Sequence, residues 1–224
     1  MAAPDETTDL KELGNYQLNE FLGSNGVTAT FKAFHKDTGF QAVMVAMHHS
    51  NLADTGAWKA FRKEFQPLLD APASRLCQPF ECGSSDDHYW AAYEWQMGSH
   101  LGIMVRDHGL PHPADTFQWM SEVADALAML HRRGGLHRII NPASIFVNNY
   151  RQSNLLHASW GRLLLSVKQG IHNPAFMSIL PFLAPEAVSG KECEEATDVY
   201  GIGACLYFLL SGQPVFWDEE PTTL

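Results

Sequence analysis

A change of hydrophobic period near residues 96–99 constrains this chain more than any other feature of its sequence. Before it, apolar runs with strand character are separated by turn residues: Tyr16 to Gly23, Val27 to Phe34, Phe40 to Met47, Arg75 to Cys82 and His88 to Trp95. Gly23-Ser24-Asn25-Gly26 suits a hairpin, Thr38-Gly39 a second turn, and Gly83 to Asp87 a third. One helix interrupts this half, with Asp54 or Thr55 as cap and Trp58, Phe61, Phe65 and Leu68 or Leu69 recurring at three- and four-residue steps. Pro67 lies inside that pattern and predicts a kink or an early end. After the switch, a long amphipathic helix starts at Pro113, carries Phe117, Met120, Val123, Ala124, Leu127 and Leu130 on one face, and ends at Gly134-Gly135. A short strand pair follows (Ile145 to Asn148 and about Asn154 to Ala158), then a loop-like segment to about Pro181. A helix from Ala196 to Leu210 is stopped by Gly212 and Pro214. The fold class is α+β: a flexible lead-in (1–14), a β-rich small lobe (15–95), a hinge (96–99) and an α-rich large lobe (100–224).

Composition narrows the partners. With 15 Lys and Arg against 25 Asp and Glu, the formal charge of -10 argues against nucleic acid or an anionic membrane surface. The acidic start has neither a basic nor an apolar signal region, and the most apolar run, Val199 to Leu210, is short of the roughly 18 residues of a membrane span. Cys77, Cys82, Cys193 and Cys205 lack metal or disulfide spacing, so free thiols in a reducing, cytoplasmic setting are expected, and no metal.

The distribution of charge is uneven. Residues 126–185 contain no Asp or Glu, although at the overall rate of 25 in 224 roughly six or seven would fall in such an interval of 60. The same interval holds Arg132, Arg133, Arg138, Arg151, Arg162 and Lys168. Either these cations line a cleft that accepts an anion without a metal, or they are scattered over the surface.

Several ordered motifs resemble the protein kinase family, especially eukaryotic-type Ser/Thr kinases and their bacterial relatives. They are Leu22-Gly23, Ala42, Phe61-Arg62-Lys63-Glu64, Tyr93-Glu94, His137-Arg138 with Pro142, Gly161, Ala184-Pro185-Glu186 and Asp198-Val199-Tyr200-Gly201-Ile202-Gly203. The resemblance covers about Tyr16 to Phe216 and implies a two-lobed kinase fold, C-terminally truncated because the family's last helices would follow Leu224. It also implies a degenerate site. Family chemistry needs a third-strand lysine, a catalytic aspartate and two magnesium ligands. By register these places hold Met44, Ile139, Ser144 and Ser159, with Asn141 at the catalytic-loop lysine.

The resemblance further implies that Glu64 has lost its cation and turns to solvent or to another donor. A vestigial nucleotide pocket would comprise Gly23, Gly26, Ala42, Tyr93, Glu94, Trp95 and Phe146, either filled by its three aromatic rings or left open. Gly26 stands one place off the glycine pattern and serves a hairpin turn equally well. His137, Trp160 and Leu68 would form an apolar column with Gly161 beside it, Asp198 would hold the catalytic-loop backbone, and Glu186 would lack a partner. Arg138 would either bind a phosphorylated Ser166 or Ser178, or pair with backbone carbonyls. The function implied is a pseudokinase acting as a protein-interaction or regulatory module, with a protein partner or attached domain and no required cofactor. The alternatives are an atypical active Ser/Thr kinase and a metal-independent nucleotide or anion sensor that takes ATP without magnesium.

Overall fold

The computed structural model describes residues 10–54, 56–69, 75–77, 79–85, 87–158 and 160–216, without the side chains at 65 and 67–69. Its first half is an antiparallel sheet in the order β1 (Glu12–Leu13), β2 (Tyr16–Ser24), β3 (Thr28–His35), β4 (Gln41–His48), β6 (His88–Glu94) and β5 (Pro79–Ser85). The lead-in is shorter than residues 1–14, because Glu12 and Leu13 pair with β2 and Leu13 is buried against it. Strand β4, Gln-Ala-Val-Met-Val-Ala-Met-His, is apolar on both faces because both are covered. Ala42, Met44 and Ala46 face a cluster with Tyr16, Phe31 and Trp90. Val43, Val45 and Met47 face the other side, where helix α1 (Gly56–Leu69) stacks Trp58 and Phe61.

The Asp54 carboxylate accepts the Gly56 N–H at 2.8 Å and so caps α1. The helix runs through Pro67 to Leu69 instead of stopping at the proline. The hairpin between β2 and β3 is closed by Asn25, whose Oδ1 accepts the backbone N–H groups of Val27 and Thr28.

At the hinge only Trp95 to Met97 lack regular structure. Gly98 already begins β7 (Gly98–His100), which pairs with β8 (Ile145–Asn148), itself paired to β9 (Ser153–Leu155). Gly98 has φ +155, and a Cβ there would lie 2.2 Å from the Val147 carbonyl, so glycine is what lets β7 reach β8.

Helix α2 (Leu101–His108), which periodicity did not signal, then leads to α3 (Pro113–Arg132). The buried face of α3 is Thr116, Trp119, Met120, Val123, Ala126, Leu127 and Leu130. Phe117 and Ala124, expected on it, are exposed. Trp119 sets this rotation, since its indole donates to the Arg151 carbonyl beside β9. The segment expected to be a loop holds α4 (Trp160–Leu164) and three 3-10 turns before α5 (Pro185–Val188), and α6 (Glu195–Ser211) closes with Gly212 in the left-handed region. Among the described residues no helix is long and apolar enough to cross a membrane.

Candidate functional site

Between the sheet and the helical half lies an open cleft of about 880 Å³. Its roof is Leu22 to Asn25, Thr28, Thr30, Val43 and Val45; its back is Cys77 and Tyr93; its hinge wall is Glu94 to Ser99; its floor includes Ile103, Phe146, Leu156 and His157. Gly23, Tyr93, Glu94, Trp95 and Phe146 are thus brought together as the sequence implied, and their rings leave the cavity open. Gly26 and Ala42 do not line it. Gly26 (φ +84) sits in the Asn25-closed turn, and Ala42 points to the far side of the sheet.

The same alternation corrects the lysine place. Met44 is fully buried on the far face, while Val43 and Val45 are the β4 side chains that reach the cleft. A one-residue change of register moves every side chain of a strand to its other face. The position facing the cleft is therefore a valine, which carries no charge either.

Below the cleft, the stretch from His137 to Ser144 is committed to holding its own backbone. Buried Asp198 at the start of α6 accepts the backbone N–H of His137 (2.9 Å) and of Arg138 (2.5 Å) and bonds the His131 ring (2.9 Å). That anchor is the role implied for it. It steadies Arg138 at φ +74, a left-handed conformation that a residue with a Cβ rarely adopts. Ile139 is buried in the core. Asn141 accepts the Ala143 N–H and donates to the Ile139 carbonyl, while the Ser144 hydroxyl accepts the Asn141 N–H and donates to its carbonyl. These two side chains form a reciprocal cap on the 3-10 turn Pro142–Ser144. Ser159 lies outside the described residues.

Glu64 has found other donors. Arg138 grips its carboxylate with two nitrogens at 2.7 and 3.0 Å, and Arg162 Nε approaches at 2.8 Å. Burial pushes the carboxyl up, but hydrogen bonds and charge from the two guanidiniums outweigh that and hold it below the usual carboxylate range. Arg138 also donates to the Leu136 carbonyl, so it has a carboxylate and a carbonyl as partners. The Ser166 hydroxyl donates to the Arg162 carbonyl. Glu186, expected to lack a partner, accepts the Thr197 hydroxyl at 2.7 Å.

Two residues of the implied column are buried, each with its own partner. His137 and Trp160 are buried, the His137 ring meets the Leu156 carbonyl at 2.7 Å, and Trp160 Nε1 donates to the Tyr93 hydroxyl. The Leu68 side chain is outside the described residues. Gly161 is required at its place, since a Cβ would lie 2.1 Å from the His137 carbonyl.

Of the cations of the carboxylate-free interval, none lines the cleft among the described residues. Arg138 and Arg162 turn to Glu64, and Arg151 pairs with Asp115 at 2.6 Å. The cleft contains instead two histidines that sequence reasoning did not single out. His100 meets the Ala143 carbonyl at 2.7 Å, and burial lowers its pKa. Burial, with His100 and His137 nearby, pushes His157 down to about 3. No motif pointed to either residue, because only the fold brings positions 100 and 157 to one wall.

A β-sheet lobe with one packed helix, a hinge, and a helical lobe whose buried aspartate holds a His-Arg loop together define a protein-kinase-type cleft. The protein kinase domain family matches residues 16–224, and the chain belongs to that family. A probable serine/threonine-protein kinase of Corynebacterium efficiens is 30% identical over 212 residues, covering 92% of this chain and 32% of that protein. The serine/threonine-protein kinase PrkC of Bacillus subtilis is 23% identical over 212 residues, covering 94% and 32%. Aurora kinase of Eremothecium gossypii is 22% identical over 209 residues, covering 93% and 56%. The chain thus spans about a third of the length of these two bacterial relatives.

Proposed function

We propose that this chain is a catalytically inactive protein-kinase-like domain that works as a protein-interaction or regulatory module, through a partner protein or an attached domain. The observation that carries the reading is the use made of the catalytic loop. Ile139 is core, and Asn141 and Ser144 are consumed in a mutual cap, so the loop presents neither a proton acceptor nor a hard metal ligand to the cleft. The valines of β4 at the roof support it, as does the interval 126–185, which holds no acid that could substitute, while Glu64 and Asp198 nearby are engaged in holding the His137–Arg138 turn. The named relatives are kinases, so the reading separates this chain from them on site chemistry alone. Incubating the intact protein with ATP and magnesium and mapping phosphosites by mass spectrometry tests it. No site gained over a heat-unfolded control is the expected result; phosphosites formed only by the folded protein would overturn it.

A second reading, a nucleotide sensor that needs no metal, is favoured by the open cleft, whose hinge wall and aromatic floor are intact. A thermal-shift titration with ATP, with and without magnesium, tests it: a shift in both conditions supports the sensor, and no shift in either removes it. The anion-sensing variant loses its basis, because the basic side chains are not in the cleft.

A further inference from the structure

The cleft is open, with a volume of about 880 Å³. Among the described residues that line it there is no Lys or Arg, and one carboxylate, Glu94. Lys32 brings an ammonium to the rim, but it sits 4.7 Å from the Trp95 ring centroid, outside the cavity wall. Leu22, Val43 and Val45 above face Ile103, Phe146 and Leu156 below, and the His100 and Phe146 rings meet at right angles with centroids 5.5 Å apart. Ser99, Asn149 and the two imidazoles supply polar groups without formal charge, since burial keeps both imidazoles unprotonated at neutral pH.

We propose that this cleft binds an uncharged planar heteroaromatic ligand of about nucleoside size, without a metal ion, in preference to a nucleoside polyphosphate. The proposal deepens the reading of the chain as a non-transferring domain and rests on it. A flat neutral ring system replaces water between two apolar walls and gains from that burial. A polyphosphate carried into the same space gives up hydration of several negative charges and finds, among the described lining residues, neither guanidinium nor ammonium, and Glu94 alone as a carboxylate to hold magnesium as a bridge. The cleft therefore discriminates by charge, in the sense opposite to a phosphate-binding site.

Isothermal titration of the intact protein with adenosine, and with ATP in the presence and absence of magnesium, tests this. Adenosine is expected to bind about tenfold more tightly than ATP or better, equivalent to about 1.4 kcal/mol, with ATP affinity unchanged by magnesium. Phe146→Ala should weaken adenosine binding about tenfold with its melting transition retained, while Tyr150→Ala, which is 84% exposed and outside the lining, should leave it unchanged. Thr30→Lys introduces a cation at the half-buried roof and should narrow the gap between the two ligands. If Phe146→Ala unfolds, the Thr30→Lys comparison decides. ATP binding more tightly than adenosine, a gap that Thr30→Lys leaves unchanged, or no adenosine binding at millimolar concentration would overturn the proposal. Tight magnesium-dependent ATP binding without phosphate transfer would overturn the charge selectivity alone. Transfer itself would overturn the non-transferring reading.

Discussion

Glu64 is where the missing lysine is felt and answered. Its carboxylate joins α1 to the His137–Arg138 turn through Arg138, whose side chain is only 10% exposed, and to α4 through Arg162, which is 41% exposed. Glu64→Gln removes the charge that the buried guanidinium faces, so we expect a loss of about 2 kcal/mol in denaturant unfolding. Arg162→Ala should cost less than about 1 kcal/mol, since water screens that pair. Acid should act in the same direction. His100, His137 and His157 all have pKa values lowered by burial, so the unfolded chain takes up protons that the folded chain refuses. Stability is then full above the ordinary imidazole value of 6.5 and falls as pH drops from there toward about 3, the range set by His157, with Glu64 adding to the loss below 4.5. Melting temperature followed from pH 7.5 to 4 should decline from about pH 6.5 downward, and a flat profile would contradict the burial of these rings. The motif frame in the sequence pointed to Glu64 and Asp198, but the partners of Glu64 could not be read there, because residues 64, 138 and 162 meet only through the packing of α1 on α4.

Element boundaries followed from period and capping, but which face an element buries followed less well. A continuous apolar run marks β4 as a strand, but with both of its faces apolar nothing local tells Met44 from Val45; the sheet decides by placing Trp90 and Tyr16 on one side and α1 on the other. In α3 the periodicity puts Phe117 and Ala124 on the apolar face, and a tertiary hydrogen bond from Trp119 turns the helix to bury Thr116, Trp119 and Ala126 instead. Trp119→Ala should therefore cost about 3 kcal/mol or more, whereas Phe117→Ala should fall within about 0.5 kcal/mol of the parent in the same chemical-denaturation measurement. Helix α2 was not legible at all, being an eight-residue piece that leaves Leu101 as its only fully buried side chain. Close approach explains Gly161: Gly161→Ala drives a methyl into the His137 carbonyl and should destabilise by about 2 kcal/mol. A variant as stable as the parent would mean that the two segments are not in contact.

Taken together, the two halves keep the architecture of a kinase, while among the described residues the β4 side chains facing the cleft are valines, Ile139 is core, and Asn141 and Ser144 cap their own turn. Asp198 and Gly161 maintain the catalytic-loop backbone, and the Tyr93–Trp160 hydrogen bond ties the back of the cleft to α4. The described residues frame a cleft whose lining includes Val43, Val45, the rings of Tyr93, Trp95 and Phe146, and two histidines. On the proposed reading, such a frame presents a surface or holds a neutral ligand without chemistry. Transfer of the labelled γ-phosphate of ATP to a generic Ser/Thr acceptor, in the presence of magnesium or manganese and after removal of trace kinases, tests this account most directly. The account predicts incorporation no higher than with the heat-unfolded protein. Reproducible incorporation that needs the folded chain and scales with its concentration would contradict it.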